Sequence, residues 1–187
     1  MLSIVCGFYI TSYAQTWELQ KEENGIKVWT SPSGRAMDDS KVTALIKADM
    51  DDVLETLMNP MTYPDWQPKA GKVTILSESN GTTRYHMIVK TPIVADRDVV
   101  VEISQEKTSN GYTLPMTSHP EAVDETKDIV RISIYDGEYR LVQKGNGVEV
   151  TLEYSTDPGG NIPGWMLGNA ATKEPFEIFQ GLKLYLE

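Results

Sequence analysis

Apolar and polar residues alternate most regularly through Val148, Glu149, Val150, Thr151, Leu152, Glu153, Tyr154 and Ser155. That period predicts a strand with one face in a core and the other in water. Residues 41–48 alternate likewise, with Val42, Ala44, Ile46 and Ala48 on one side. Further strands are expected at 26–30, 72–77, 82–90, 99–103, 112–116, 129–135 and 139–143. Asn80-Gly81 suits the positive φ angles of a tight hairpin turn, and Asn110-Gly111, Asp136-Gly137 and Gly145-Asn146-Gly147 read as further turns. Connections this short leave no room for crossover helices, so the sheet is expected to be an antiparallel meander.

Two segments depart from this pattern. Asp49, Asp51 and Asp52 supply an N-cap and negative charge for a helix whose apolar face is Val53, Leu54, Leu57 and Met58, and Pro60 stops it. Residues 63–68 then form a loop or short helix, since two prolines exclude a longer one. The tail, 163–187, reads as one long helix with Pro175 as its expected bend. Leu167, Ala171, Ile178, Leu182 and Tyr185 make one stripe along it, and Trp165, Phe176, Phe179 and Leu186 a second. A cover that wide needs a broad apolar bed. The expected class is therefore α+β, a curved antiparallel sheet wrapped around a C-terminal helix with a hydrophobic cavity between them.

At 187 residues the chain is one domain behind a short leader. Residues 1–14 carry no charge, and their apolar stretch is too short to span a bilayer. Small residues at Ser12 and Ala14 mark a cleavage site before Gln15, so 1–14 is read as a signal peptide, 15–187 as the mature domain, and the location as secreted or periplasmic. Cys6, the sole cysteine, leaves with the leader. The 17 basic against 27 acidic residues, net −10, repel polyanions, so nucleic acid is not an expected partner and membrane contact is at most transient.

Catalytic signatures are sparse. His86 and His119 stand apart from any metal-ligand spacing, and neither a GxSxG elbow nor a phosphate-binding loop occurs, so no cofactor or metal is expected. Polar residues on apolar strand faces remain. Arg97 shares parity with Val99, Val101 and Ile103, and Arg131 with Ile129 and Tyr135, so each could point inward. One reading has Arg97 paired with an acid such as Asp98; the other has a buried guanidinium orienting a ligand's head or hydroxyl.

Residues 91–101, TPIVADRDVVV, resemble the entry to the central strands of steroidogenic-acute-regulatory-related lipid-transfer (START) domains. Residues 157–165, DPGGNIPGW, resemble their sheet-to-helix junction, Trp66 matches a tryptophan after their second helix, and 17–30 look like their first helix and strand. The resemblance implies a helix-grip fold with a tunnel for one lipid-like molecule. Where sterol-binding members carry an inward acid and arginine, this chain has Tyr85 and Ile103, which implies a drier pocket.

The expected function is non-catalytic binding or transfer of a lipid, fatty acid or sterol-like molecule, gated by the C-terminal helix and the junction before it. The expected lining is Tyr85, Met87, Arg97, Val99, Val101, Arg131, Tyr139, Leu152 and Tyr154 from the sheet, with Trp66, Trp165, Met166, Ala170 and Phe179 from the helices. The alternative is a helix-grip enzyme, such as a polyketide cyclase or hydrolase, with Tyr85, Tyr139, Tyr154, Arg97 or Arg131 as its titratable group. A third reading fills the cavity with the protein's own side chains.

Overall fold

The computed structural model describes residues 15–91 and 93–187. The signal-peptide reading falls on 1–14 and lies outside them. Strands β1 (Glu18–Glu23), β2 (Ile26–Ser31) and β3 (Asp39–Ile46) open the chain. Helices α1 (Met50–Met58) and α2 (Tyr63–Trp66) follow, then β4 (Ala70–Ser79), β5 (Thr82–Val89), β6 (Arg97–Ser104), β7 (Glu106–Thr108) and β8 (Gly111–Ser118). The two-residue β9 (Val130–Arg131), β10 (Ile134–Lys144), β11 (Gly147–Asp157) and α3 (Gly164–Leu186) complete the domain. The strands form one curved sheet in the order β1-β2-β3-β11-β10-β8-β6-β5-β4, with β7 beside β8 and β9 beside β6.

The alternating residues behave as their period requires. Val42, Ala44 and Ile46 on β3 are buried together with Val148, Val150 and Leu152 on β11, and α3 lies across this face with Phe176, Phe179 and Leu182 buried against it. Asn80 and Gly81 take φ of 51° and 74°, the left-handed pair that joins β4 to β5. Asp49 occupies the N-cap position of α1 without a side-chain capping bond, so the acidic cluster acts there through charge, with Asp51 and Asp52 in the first turn. Edge strand β4 is bulged between Ala70 and Val73 and between Ile75 and Ser77, which disfavours pairing with another chain.

Three expectations change. Residues 17–30 contain no helix: β1 pairs with β2 through a turn at Asn24 and Gly25, with φ of 53° and 74°. The strand expected at 129–135 is split: Val130 and Arg131 form β9, which pairs parallel with β6, an exception to the antiparallel meander, and Ile134 and Tyr135 open β10. Asp136-Gly137 is no turn, because β10 runs straight through it and Gly137 pairs with Tyr154. A Cβ at Gly137 would stand 2.2 Å from the Glu153 carbonyl oxygen, so this glycine serves close strand approach rather than chain reversal.

Candidate ligand cavity

A cavity of about 460 Å³ opens between the N-terminal half of α3 and the inner face of the sheet. Met87 and Val89 of β5, Tyr135 of β10 and Tyr154 and Thr156 of β11 form its bed, with Ile132 beside them. Met166, Leu167, Ala170 and Ile178 of α3 form its roof. Lys21, Lys69, Lys173, Glu174 and Glu177 bring charge to the lining. Trp165 also borders the space but is 66% exposed, so it stands at the rim rather than beneath the helix.

Along α3 the hollow reaches Ile178 and stops short of the last two turns. Tyr63 meets Trp66 edge-on at 5.2 Å between ring centroids and Tyr85 at 5.6 Å, and its hydroxyl donates to the Leu57 carbonyl at 2.6 Å. This aromatic cluster belongs to the packed core. Tyr139, Val99, Val101, Leu152 and Phe179 are buried in the same core. None of these residues, nor Trp66 or Tyr85, lines the cavity, whereas Met87, Arg97, Tyr154, Trp165, Met166 and Ala170 do. Alternation identified the inward face of each strand; how far α3 stands off that face decides which inward residues meet protein and which meet open space.

The two arginines separate onto opposite faces. Arg97 pairs with Val89 across the β5–β6 ladder and lies inward, 3% exposed, on the cavity wall. Its Nε donates to the Pro158 carbonyl at 3.4 Å and its Nη1 to the Ala95 carbonyl. Arg131 lies on the outer face instead. Its Nε and Nη2 clamp both oxygens of Asp98 at 2.8 and 2.9 Å, and His86 Nε2 meets the same carboxylate at 2.8 Å. Nη1 of Arg131 also donates to the carbonyls of Pro120 and Val123, tying the segment after β8 onto β6. Arg131 is therefore a structural clamp, and it takes the acid that sequence reasoning offered to Arg97.

Burial pushes the hydroxyls of Tyr63, Tyr85, Tyr135, Tyr139 and Tyr154 well above their ordinary pKa. At neutral pH Tyr135 and Tyr154 face the cavity as uncharged phenols, able to hydrogen-bond a ligand and unsuited to act as bases. For Asp98, burial alone would raise the pKa, but the bonds from Arg131 and His86 outweigh it and hold the carboxyl below its usual range. Burial draws Arg97 downward, opposed by the charges of Asp96 and Glu174.

The solved structure of a STAR-related lipid transfer protein from Xanthomonas axonopodis superposes with a TM-score of 0.85 at 28% identity, covering 91% of this chain and 98% of that one. The chain has the START-domain fold. An uncharacterized protein of Pseudomonas aeruginosa is 28% identical over 187 residues, 98% of this chain and 93% of its own. The phosphatidylcholine transfer protein of Bos taurus is 27% identical over 169 residues, 83% of this chain and 76% of its own. No family model matches the chain.

Within this START fold, sequence reading missed Thr156 and Tyr135, which pair across β10 and β11 and both line the cavity. Thr156 continues the parity of Leu152 and Tyr154, so alternation carried two residues further would have found it. Tyr135 was hidden by the apparent turn at Asp136-Gly137. Lys21 comes from β1, where the resemblance implied a helix, and its Nζ lies 3.6 Å from the centroid of the Phe176 ring.

Proposed function

We propose that this protein is a non-catalytic carrier that shields one hydrophobic molecule beneath the N-terminal half of α3. The observation carrying this reading is the 460 Å³ hollow with its mostly apolar bed, which falls within the roughly 300–1,000 Å³ of small-ligand sites. The names of the Xanthomonas and bovine relatives, both lipid transfer proteins, support it. Covering ~400 Å² of apolar ligand surface at about 25 cal/mol per Å² gives ~10 kcal/mol before the costs of association. No ion pair is needed for useful affinity. The neutral tyrosines offer no base to a helix-grip cyclase or hydrolase, and the two carboxylates of the lining, Glu174 and Glu177, are paired with Lys69 and Lys173, which favours the carrier reading.

The same half of α3 is the proposed gate. Its first turns, including Trp165, Gly168 and Asn169, are exposed, whereas Phe176, Phe179 and Leu182 fasten the second half to the core. Entry would lift the first half and the junction at 159–164 while the second half stays seated. Export under the proposed leader would place the carrier outside the cytoplasm.

Native mass spectrometry of gently purified protein, followed by titration with palmitate, tests the carrier reading. Retained mass of lipid size is expected. Palmitate at a hundredfold excess over Kd should stabilise by about 2.7 kcal/mol, a rise in Tm of roughly 5–10 °C for a domain of this size. No retained mass, together with an unmoved Tm for both fatty acids and sterols, would overturn it.

A further inference from the structure

Four cations line the cavity, and three are accounted for. Lys21 is 3.0 Å from Glu23, Lys173 is 3.6 Å from Glu177, and Lys69 is paired with Glu174. Arg97 is the most deeply buried of the four and, among the described residues, has no carboxylate within 4.0 Å. The acids whose charge reaches it, Asp96 and Glu174, are committed to Lys90 and Lys69. Its Nε and Nη1 are used on backbone carbonyls, which leaves Nη2 without a hydrogen-bond partner among the described residues. The turn beside Nη2 carries no side chain: Gly160 has φ of 64°, and a Cβ there would stand 3.7 Å from that nitrogen. Nη2 is reached by solvent rather than sealed in the wall, so an anion in the cavity can pair with this free edge of the guanidinium.

Volume limits the rest of the ligand. At about 30 Å³ per water-sized group, 460 Å³ holds roughly fifteen such groups, one alkyl chain rather than two. The local charge agrees with an anionic head: four cations and two carboxylates line the cavity, a net of +2 inside a chain of net −10. Resting on the carrier reading, we propose that the ligand is a single-chain amphiphile whose anionic head, carboxylate or phosphate, sits on the free edge of Arg97. Arg97 sets specificity for the head, and the bed of Met87, Tyr135 and Tyr154 holds the chain.

Calorimetric titration of the full mature chain with four probes tests this: palmitate, palmitoyl-lysophosphatidate, hexadecanol, and two-chain dipalmitoyl phosphatidylcholine. At least one anionic probe is expected to bind ten times or more tighter than hexadecanol, and the tighter of the two identifies the head as carboxylate or phosphate. Arg97→Met should bring that probe to within twofold of hexadecanol, and Arg97→Lys should restore part of the preference. Hexadecanol binding as tightly as both anions in the wild type would overturn the head-group inference and leave the carrier reading standing; this comparison needs no variant to fold. Tightest binding of the two-chain lipid, or undiminished preference in a folded Arg97→Met, would also overturn it. Failure of every probe would remove the carrier reading and the inference together.

Discussion

Gly181→Ala sets two physical effects against each other, and the structure decides the sign. In an exposed helix interior, alanine in place of glycine stabilises by roughly 0.8–1.0 kcal/mol. Here a Cβ at position 181 would stand 1.8 Å from the Trp66 carbonyl oxygen and 3.0 Å from its carbon. Both clashing partners belong to backbone, so no side-chain rotation relieves the overlap, and α3 must move away from α2. Overpacking of this kind costs typically about 1–3 kcal/mol, and contact with backbone puts it toward the upper end. After the propensity gain, a net loss of about 2 kcal/mol remains, a fall in Tm of roughly 4–8 °C for a domain of this size. Scanning calorimetry or a circular-dichroism melt reads it directly. A variant that melts at the wild-type temperature or a few degrees above it would refute the seating of α3 on Trp66, and with it the fixed half of the proposed gate.

Other consequences are as direct. Asp98→Asn leaves the Arg131 guanidinium, 7% exposed, without its carboxylate, and chemical denaturation should register a loss of about 3–5 kcal/mol. Because the Asp98 carboxyl is held below its usual range, its contribution is complete above the unfolded value near pH 4 and disappears as pH falls through the lower folded value; the gap between wild type and variant should therefore narrow below pH 4. An unchanged gap at pH 2.5 would contradict that assignment. Ala170→Trp fills the cavity from its roof and should weaken palmitate at least tenfold while shifting the ligand-free Tm by only a few degrees; retained affinity would place the ligand elsewhere. Amino-terminal analysis of protein recovered from a secreting host should begin at Gln15, and a chain still starting at Met1 would remove the leader proposal.

Much of the architecture was legible because it rests on local periods. The alternation through β3 and β11 fixed which residues face α3, and the wide apolar cover of 163–187 called for a sheet to lie on. Asn80-Gly81 announced its hairpin because the turn itself needs positive φ. Gly137 misled for a related reason: glycine marks either chain reversal or close backbone approach, and only the neighbouring strand, absent from a local window, distinguishes them. The site was less legible than the fold. Parity correctly gave Arg97 an inward side chain, but the partner of Asp98 depends on how the segment before β10 folds over the outer face, and that segment carries no period. Tyr85 and Met87 share one face of β5, yet one is packed under Tyr63 and the other borders open space. That difference is set by α2, whose Tyr63 covers Tyr85 and leaves Met87 to the space under α3.

The most direct test of an apolar ligand site beneath the first half of α3 is photo-crosslinking with a palmitate analogue bearing a mid-chain diazirine, followed by peptide mapping. Adducts should concentrate on Met87, Tyr154, Met166 and Ala170 and should be competed away by unlabelled ligand. Adducts confined to exposed apolar residues such as Ile93 or Leu184, indifferent to competitor, would contradict it.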